Sequence, residues 1–146
     1  MNRRTFLRAA AAATVPAALG TAAYGLFEAA NVEVARVELA VPKLPVPFDG
    51  TTVAFLADIH HGPFTSLDYV AGVVRTTLAL RPDLVVLGGD YSLKHEKYIR
   101  PCFEVLAALR APLGVFGVLG NHDYRHGIEA SRAGFERSGI KQLTNR

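Results

Sequence analysis

A single cysteine, Cys102, stands in 146 residues, so no intrachain disulfide can form. Small secreted domains usually depend on such crosslinks; this chain must rely on its apolar core. Half of the residues are hydrophobic, and the roughly 115 that follow the first 30 are enough for one compact domain. Cys102 falls in a helical apolar pattern, which assigns it to packing; a thiol nucleophile would need a nearby base that the sequence does not identify. Excess charge is also scarce. The net charge of +3 comes largely from residues 1 to 30, which carry three arginines against Glu28, leaving 13 basic and 12 acidic groups in residues 31 to 146. Those Lys and Arg residues are scattered singly, without the basic stripe of a nucleic-acid binder, so no nucleic acid is expected as a partner. No internal repeat is present, and no low-complexity segment beyond an alanine-rich leader.

That leader also lacks charge. Ala9 to Phe27 is a run of 19 uncharged residues behind Asn2-Arg3-Arg4-Thr5-Phe6-Leu7-Arg8. The twin arginines followed by Phe-Leu look like a twin-arginine export signal, which carries folded proteins across a bacterial membrane. A short N-terminal anchor is the other reading, since 19 residues lie near the lower limit for spanning a bilayer. Against it stand the alanine-rich composition and Pro16, Gly20 and Gly25. Residues 1 to 30 are therefore expected to act as signal or anchor, with the twin-arginine translocase as partner. The destination would be the periplasm, the cell envelope or the outer side of the membrane. Whether the leader is cleaved stays open.

From residue 31 onward the chain alternates element types. Val32, Val34, Val37, Leu39 and Val41 alternate with one slip of parity, which predicts an edge strand with a bulge. Pro42, Pro45 and Pro47 then forbid regular structure up to the Asp49-Gly50 turn signal, so residues 31 to 50 read as an edge strand and a connection. Thr52 to Ala57 and Leu84 to Leu87 are short continuous apolar runs, expected as strands buried on both faces. Between them Leu67, Val70, Val74 and Leu78 repeat at helical spacing, with Thr65-Ser66-Leu67-Asp68 as a capping box and Pro82 as the stop. Cys102, Val105, Leu106 and Leu109 predict a second helix with Pro101 in its first turn, closed by Pro112. Leu113 to Leu119 reads as a third strand. Ile128 to Arg137 reads as a short helix stopped by Gly139, and Ile140 to Leu143 as the start of another strand.

Three of the apolar runs end in ligand-type residues: Asp58-Ile59-His60, Gly88-Gly89-Asp90 and Gly120-Asn121-His122-Asp123. The intervals, 32 residues from Asp58 to Asp90 and 31 from Asp90 to Asn121, match one strand-helix-strand repeat. Such spacing brings all three motifs to the carboxyl edge of a parallel sheet, where open α/β sheets hold ligands. Carboxylate, amide and imidazole there suit hard or borderline cations. Taken singly, each motif could be a turn, a cap or a polar loop. Three independent turns, however, have no reason to supply ligands in this order at regular spacing. If Asp58 and His60 lie in extended backbone, both side chains point to one side. His61, Tyr91, Tyr124 and His126 adjoin the motifs and either line the site or pack the loops; Lys94 and His95 are expected in solvent.

The ordered set Asp-x-His, Gly-Asp, Gly-Asn-His-Asp resembles the first three motifs of the calcineurin-like metallophosphoesterase superfamily over residues 51 to 146. With the leader, it looks most like the exported bacterial phosphodiesterase-type branch. Protein serine/threonine phosphatases usually continue the second motif with Asp-Arg and end the third in Glu. Here Tyr91 follows Asp90 and the third motif ends in Asp123. The resemblance implies a layered α/β/β/α sandwich, of which this chain carries the first βαβαβ half. It implies two divalent metal ions (Mn, Zn or Fe), with Asp58 and His60 on the first, Asp90 bridging both, and Asn121 on the second. His122 would be no ligand but would sit beside the substrate phosphate as the catalytic residue, with Asp123 orienting its imidazole. The implied activity is hydrolysis of a phosphodiester or pyrophosphate, with envelope lipid or wall polymer as the substrate class.

The family pattern continues with an isolated histidine and a Gly-His-x-His segment, and no histidine follows His126. The second metal would keep only Asp90 and Asn121. The expectation is thus a truncated domain whose 146-residue form holds the first metal weakly and turns over negligibly. The alternative is a noncatalytic envelope protein, a metal-binding remnant.

Overall fold

The computed structural model describes Asn2 and residues 31 to 144. The chain divides into two compact units, Met1–Glu38 and Leu39–Arg146, and all regular structure described belongs to the second. The twin-arginine motif at Arg3 and Arg4, and the rest of the leader to residue 30, lie outside the described residues. Among the described residues no helix is long and apolar enough to cross a membrane.

The second unit runs β1 (Val53–Leu56), α1 (Leu67–Ala79), β2 (Leu84–Leu87), α2 (Ile99–Leu106), β3 (Val115–Gly117), α3 (Asn121–His126), α4 (Ile128–Ser138) and β4 (Lys141–Gln142). All four strands are parallel, in the order β1-β2-β3-β4. A sheet laid down in chain order, with each crossover of the same hand, collects its helices on one face. The register agrees. Ala54 and Leu56 lie beside Val85 and Leu87, and these beside Val115 and Gly117. On that face Val85 and Leu87 are fully buried in one cluster with Val70 and Val74 of α1, Cys102, Phe103 and Leu106 of α2, and Phe135 of α4. Burying each of the larger apolar side chains contributes about 1.5–3 kcal/mol.

The opposite face is open. Val53 and Phe55 are 51% and 68% exposed, which corrects the expectation that the first strand is buried on both sides. An apolar run records only that both faces are apolar; β1 is an edge strand, and its outer face has no covering layer among the described residues. A sheet with helices on one face is the first half of the expected sandwich. Residues 31 to 41 also depart from expectation: they form no strand, and Val34, Val37, Leu39 and Val41 are exposed. Alternation specifies the faces of a strand but does not supply the neighbour whose ladder would stabilise it.

Local signals elsewhere act as read. Ser66, one residue past the expected Thr65, caps α1 by accepting the Tyr69 N–H at 3.2 Å. Gly139 ends α4 in the left-handed conformation, φ 72°, which glycine adopts without Cβ strain.

Candidate metal centre

Each strand of the first three delivers its motif to the carboxyl edge, and the loops there are fastened to one another. The Asp58 N–H donates to the Gly89 carbonyl (3.1 Å), His60 to Asp90 (2.9 Å) and His61 to Tyr91 (3.0 Å), while Leu93 donates back to His61 (2.9 Å). The β1 and β2 ladders thus continue as a loop-to-loop zipper. Asp58, His60 and Asp90 all take positive φ, at 54°, 47° and 57°. Three non-glycine residues in this sparsely populated region within one small site mark backbone held by its surroundings. The motif is therefore not extended, contrary to the geometry expected of Asp58 and His60, yet the two side chains still meet.

His60 is the hub. Its Nε2 lies 3.4 Å from Asp58 Oδ1 and 3.8 Å from Asp90 Oδ2, and its ring meets that of His122 edge-on at 4.8 Å between centroids. Donor atoms of His60, Asp90 and His122 all lie within 4.8 Å of one another. Nδ1 of both His60 and His122 is buried without a hydrogen-bond partner. An imidazole nitrogen, His60 Nε2, beside two carboxylates and within reach of a His122 nitrogen fits a divalent cation in donor chemistry. Asp58 is exposed on the outer side of the cluster. Asn121 is exposed in the first turn of α3, next to His122.

Asp123 acts differently from expectation. It is fully buried, and its carboxylate accepts backbone N–H bonds from Asp90 (2.8 Å), Tyr91 (3.1 Å) and Gly120 (2.9 Å). With its oxygens engaged by main chain, it clamps the second motif to the third and does not orient the His122 imidazole. Burial pushes its carboxyl above the usual range, the three N–H groups partly offset this, and Asp90 adds a smaller upward push. In return Asp90 Oδ1 accepts the His122 N–H at 2.9 Å. The two glycines permit this approach: a Cβ on Gly89 would run into the Gly120 backbone, and one on Gly120 into the Asp90 carboxylate.

Tyr91 belongs to the core. Its ring packs on Phe103 and Phe135, with centroids 4.6 and 5.5 Å away, and its hydroxyl donates to the Val118 carbonyl at 2.9 Å. His61 is buried, with Nδ1 2.8 Å from the Thr65 carbonyl and its ring edge-on to Tyr98, so it holds the loop after β1. Tyr124, Lys94 and His95 are exposed. His126, which the sequence left undecided, stands 5.5 Å from His122 between ring centroids. Its placement follows from α3, a helix at a segment that reads as a polar loop.

The family model for calcineurin-like phosphoesterases matches residues 51–145. The chain belongs to that family. It is 35% identical to a zebrafish (Danio rerio) transmembrane protein with metallophosphoesterase domain, over 70% of this chain and 24% of the relative. It is 35% identical to the Escherichia coli phosphodiesterase YaeI, over 53% of this chain and 29% of the relative. It is 31% identical to the Chlamydia muridarum UDP-2,3-diacylglucosamine pyrophosphatase LpxG, over 58% and 26%. The chain thus spans less than a third of the length of each. No solved structure gives a significant match.

Proposed function

We propose that these residues form part of a dinuclear metal centre that hydrolyses a phosphodiester or pyrophosphate linkage in the cell envelope, after export by the twin-arginine pathway. The observation that carries the reading is the convergence of His60, Asp90 and His122 donors within 4.8 Å at the sheet edge. Asp58, His60 and Asp90 would hold one cation, and Asp90 and Asn121 the other. Bound cations supply a water of lowered pKa and neutralise phosphoryl oxygens. His122, held by its N–H on the Asp90 carboxylate, faces the phosphate and stabilises charge or protonates the leaving oxygen. The names of the relatives support the bond type, since they include a phosphodiesterase and a pyrophosphatase of a diacylated sugar nucleotide. The export reading rests on Arg3-Arg4 and the uncharged run behind it.

Completion of the second cation's ligand set requires histidines beyond those in residues 31 to 146. A full-length version with both halves, supplied with Mn²⁺ or Zn²⁺, should cleave a chromogenic phosphodiester or a pyrophosphate and lose that activity with EDTA. The absence of metal-dependent cleavage of every phosphoester tried would leave the alternative, a noncatalytic metal-binding envelope protein.

A further inference from the structure

His122, which carries the catalytic role proposed above, has a second histidine beside it that takes no part in that reaction. His122 and His126 lie four residues apart on α3, and positions i and i+4 of a helix share a face. Their ring centroids are 5.5 Å apart and their planes inclined at 46°. His122 keeps a buried Nδ1 without a partner, and His126 is half-buried. Two imidazoles on one tetrahedral ion, with metal–nitrogen bonds of about 2.0–2.1 Å, have centroids about 5 Å apart, close to the separation of this pair.

We propose that His122 and His126 form a two-imidazole site for a borderline transition metal such as Ni²⁺, Cu²⁺ or Zn²⁺, adjoining the carboxylate-bearing centre around His60 and sharing His122 with it. Ligand type separates the two sites: imidazole suits these ions, whereas Mn²⁺ prefers carboxylate oxygen. The helix also presents the second imidazole at high effective concentration once the first has bound. An ion held there occupies the His122 ring, so under the reading above it inhibits phosphoester cleavage. The binding itself does not depend on that reading.

The test is a calorimetric titration of the 146-residue chain with Ni²⁺ and, separately, Mn²⁺, above about pH 7 so that the imidazoles are neutral. His126→Ala should weaken Ni²⁺ binding by about tenfold or more and leave Mn²⁺ binding unchanged. His95→Ala, at an exposed histidine outside both centres, should leave Ni²⁺ affinity within about threefold. In the unaltered chain, paramagnetic Ni²⁺ should broaden the His122 and His126 ring resonances before those of His60, His61 and His95, a readout that needs no variant to fold. Equal Ni²⁺ affinity in His126→Ala, or first broadening at His60, His61 or His95, would overturn the site. Because no turnover is measured, failure here leaves the hydrolytic reading standing, and the reverse holds too.

Discussion

Replacing Asp123 with alanine should remove about 3–5 kcal/mol of folding free energy. Its carboxylate is the acceptor for three backbone donors, Asp90, Tyr91 and Gly120, at 2.8, 3.1 and 2.9 Å, and the side chain is fully buried. A buried donor left without an acceptor costs about 1–3 kcal/mol, so three set a ceiling of about 9. Two effects lower it. The carboxylate is itself costly to desolvate, as its raised pKa records, and water entering the vacated space can serve some of the donors. What remains is about 3–5 kcal/mol, the range for breaking a buried charged network and a large fraction of a typical domain's 5–15 kcal/mol or so. Asparagine is the graded control. Oδ2 serves both Asp90 and Gly120, so an amide oxygen placed there keeps two bonds. The amide nitrogen then faces the Tyr91 N–H, for a loss of about 1–3 kcal/mol. Urea unfolding should show both variants as a lower midpoint at unchanged slope, with faster amide exchange at Asp90, Tyr91 and Gly120. An alanine variant within about 1 kcal/mol of the parent, with those amides still protected, would refute the clamp.

Gly120→Ala should destabilise the domain by about 1–3 kcal/mol through overpacking and weaken metal binding, because the added methyl meets the Asp90 carboxylate; unfolding curves and metal titration check both. Burial holds the Cys102 thiol up to about 12, with Asp123 adding to the rise, while an unfolded thiol ionises near pH 8.5 or so. The folded state therefore binds the extra proton between these values, and stability should fall as pH rises from about 9 toward 12; Cys102→Ala should flatten part of that slope, and the native thiol should resist disulfide reagents at neutral pH. If Arg3 and Arg4 direct twin-arginine export as proposed, replacing both with lysine should retain the protein inside the cell, because that signal depends on the guanidinium pair and not on charge alone; fractionation with unchanged export would point to an ordinary secretion signal or an anchor.

What was legible in the sequence was whatever local chemistry determines. Pro82 and Gly139 bound their helices as read, the cap of α1 lies one residue past the expected Thr65, at Ser66, and the intervals between Asp58, Asp90 and Asn121 carried the parallel topology, since one strand-helix-strand unit has a nearly constant length. What escaped depends on partners distant in sequence. The apolar residues of 32 to 41 alternate but have no strand to pair with among the described residues, and Phe55 is apolar on a face that no described residue layer covers. Helix α3 is short and polar, six residues from Asn121 to His126, and leaves no apolar period to detect. The role of Asp123 was misread because its acceptors' partners, the N–H groups of Asp90 and Tyr91, lie 33 and 32 residues away. The positive φ values of Asp58, His60 and Asp90 fall on residue types that tolerate that region better than most, but residue type alone does not predict them. They arise from the zipper between the first two motif loops.

The separation of metal binding from catalysis tests the central claim most directly. In a full-length version, metal content and single-turnover cleavage of a phosphodiester should be measured side by side for Asp90→Asn and His122→Ala. Asp90→Asn should lose both ions, because it removes the shared carboxylate that offsets their mutual repulsion. His122→Ala should keep its metal content and slow cleavage by roughly 10²–10⁴, the range for a lost general acid. Full metal content in Asp90→Asn, or cleavage at the parent rate in His122→Ala, would contradict the assignment of these two residues and with it the account of the site.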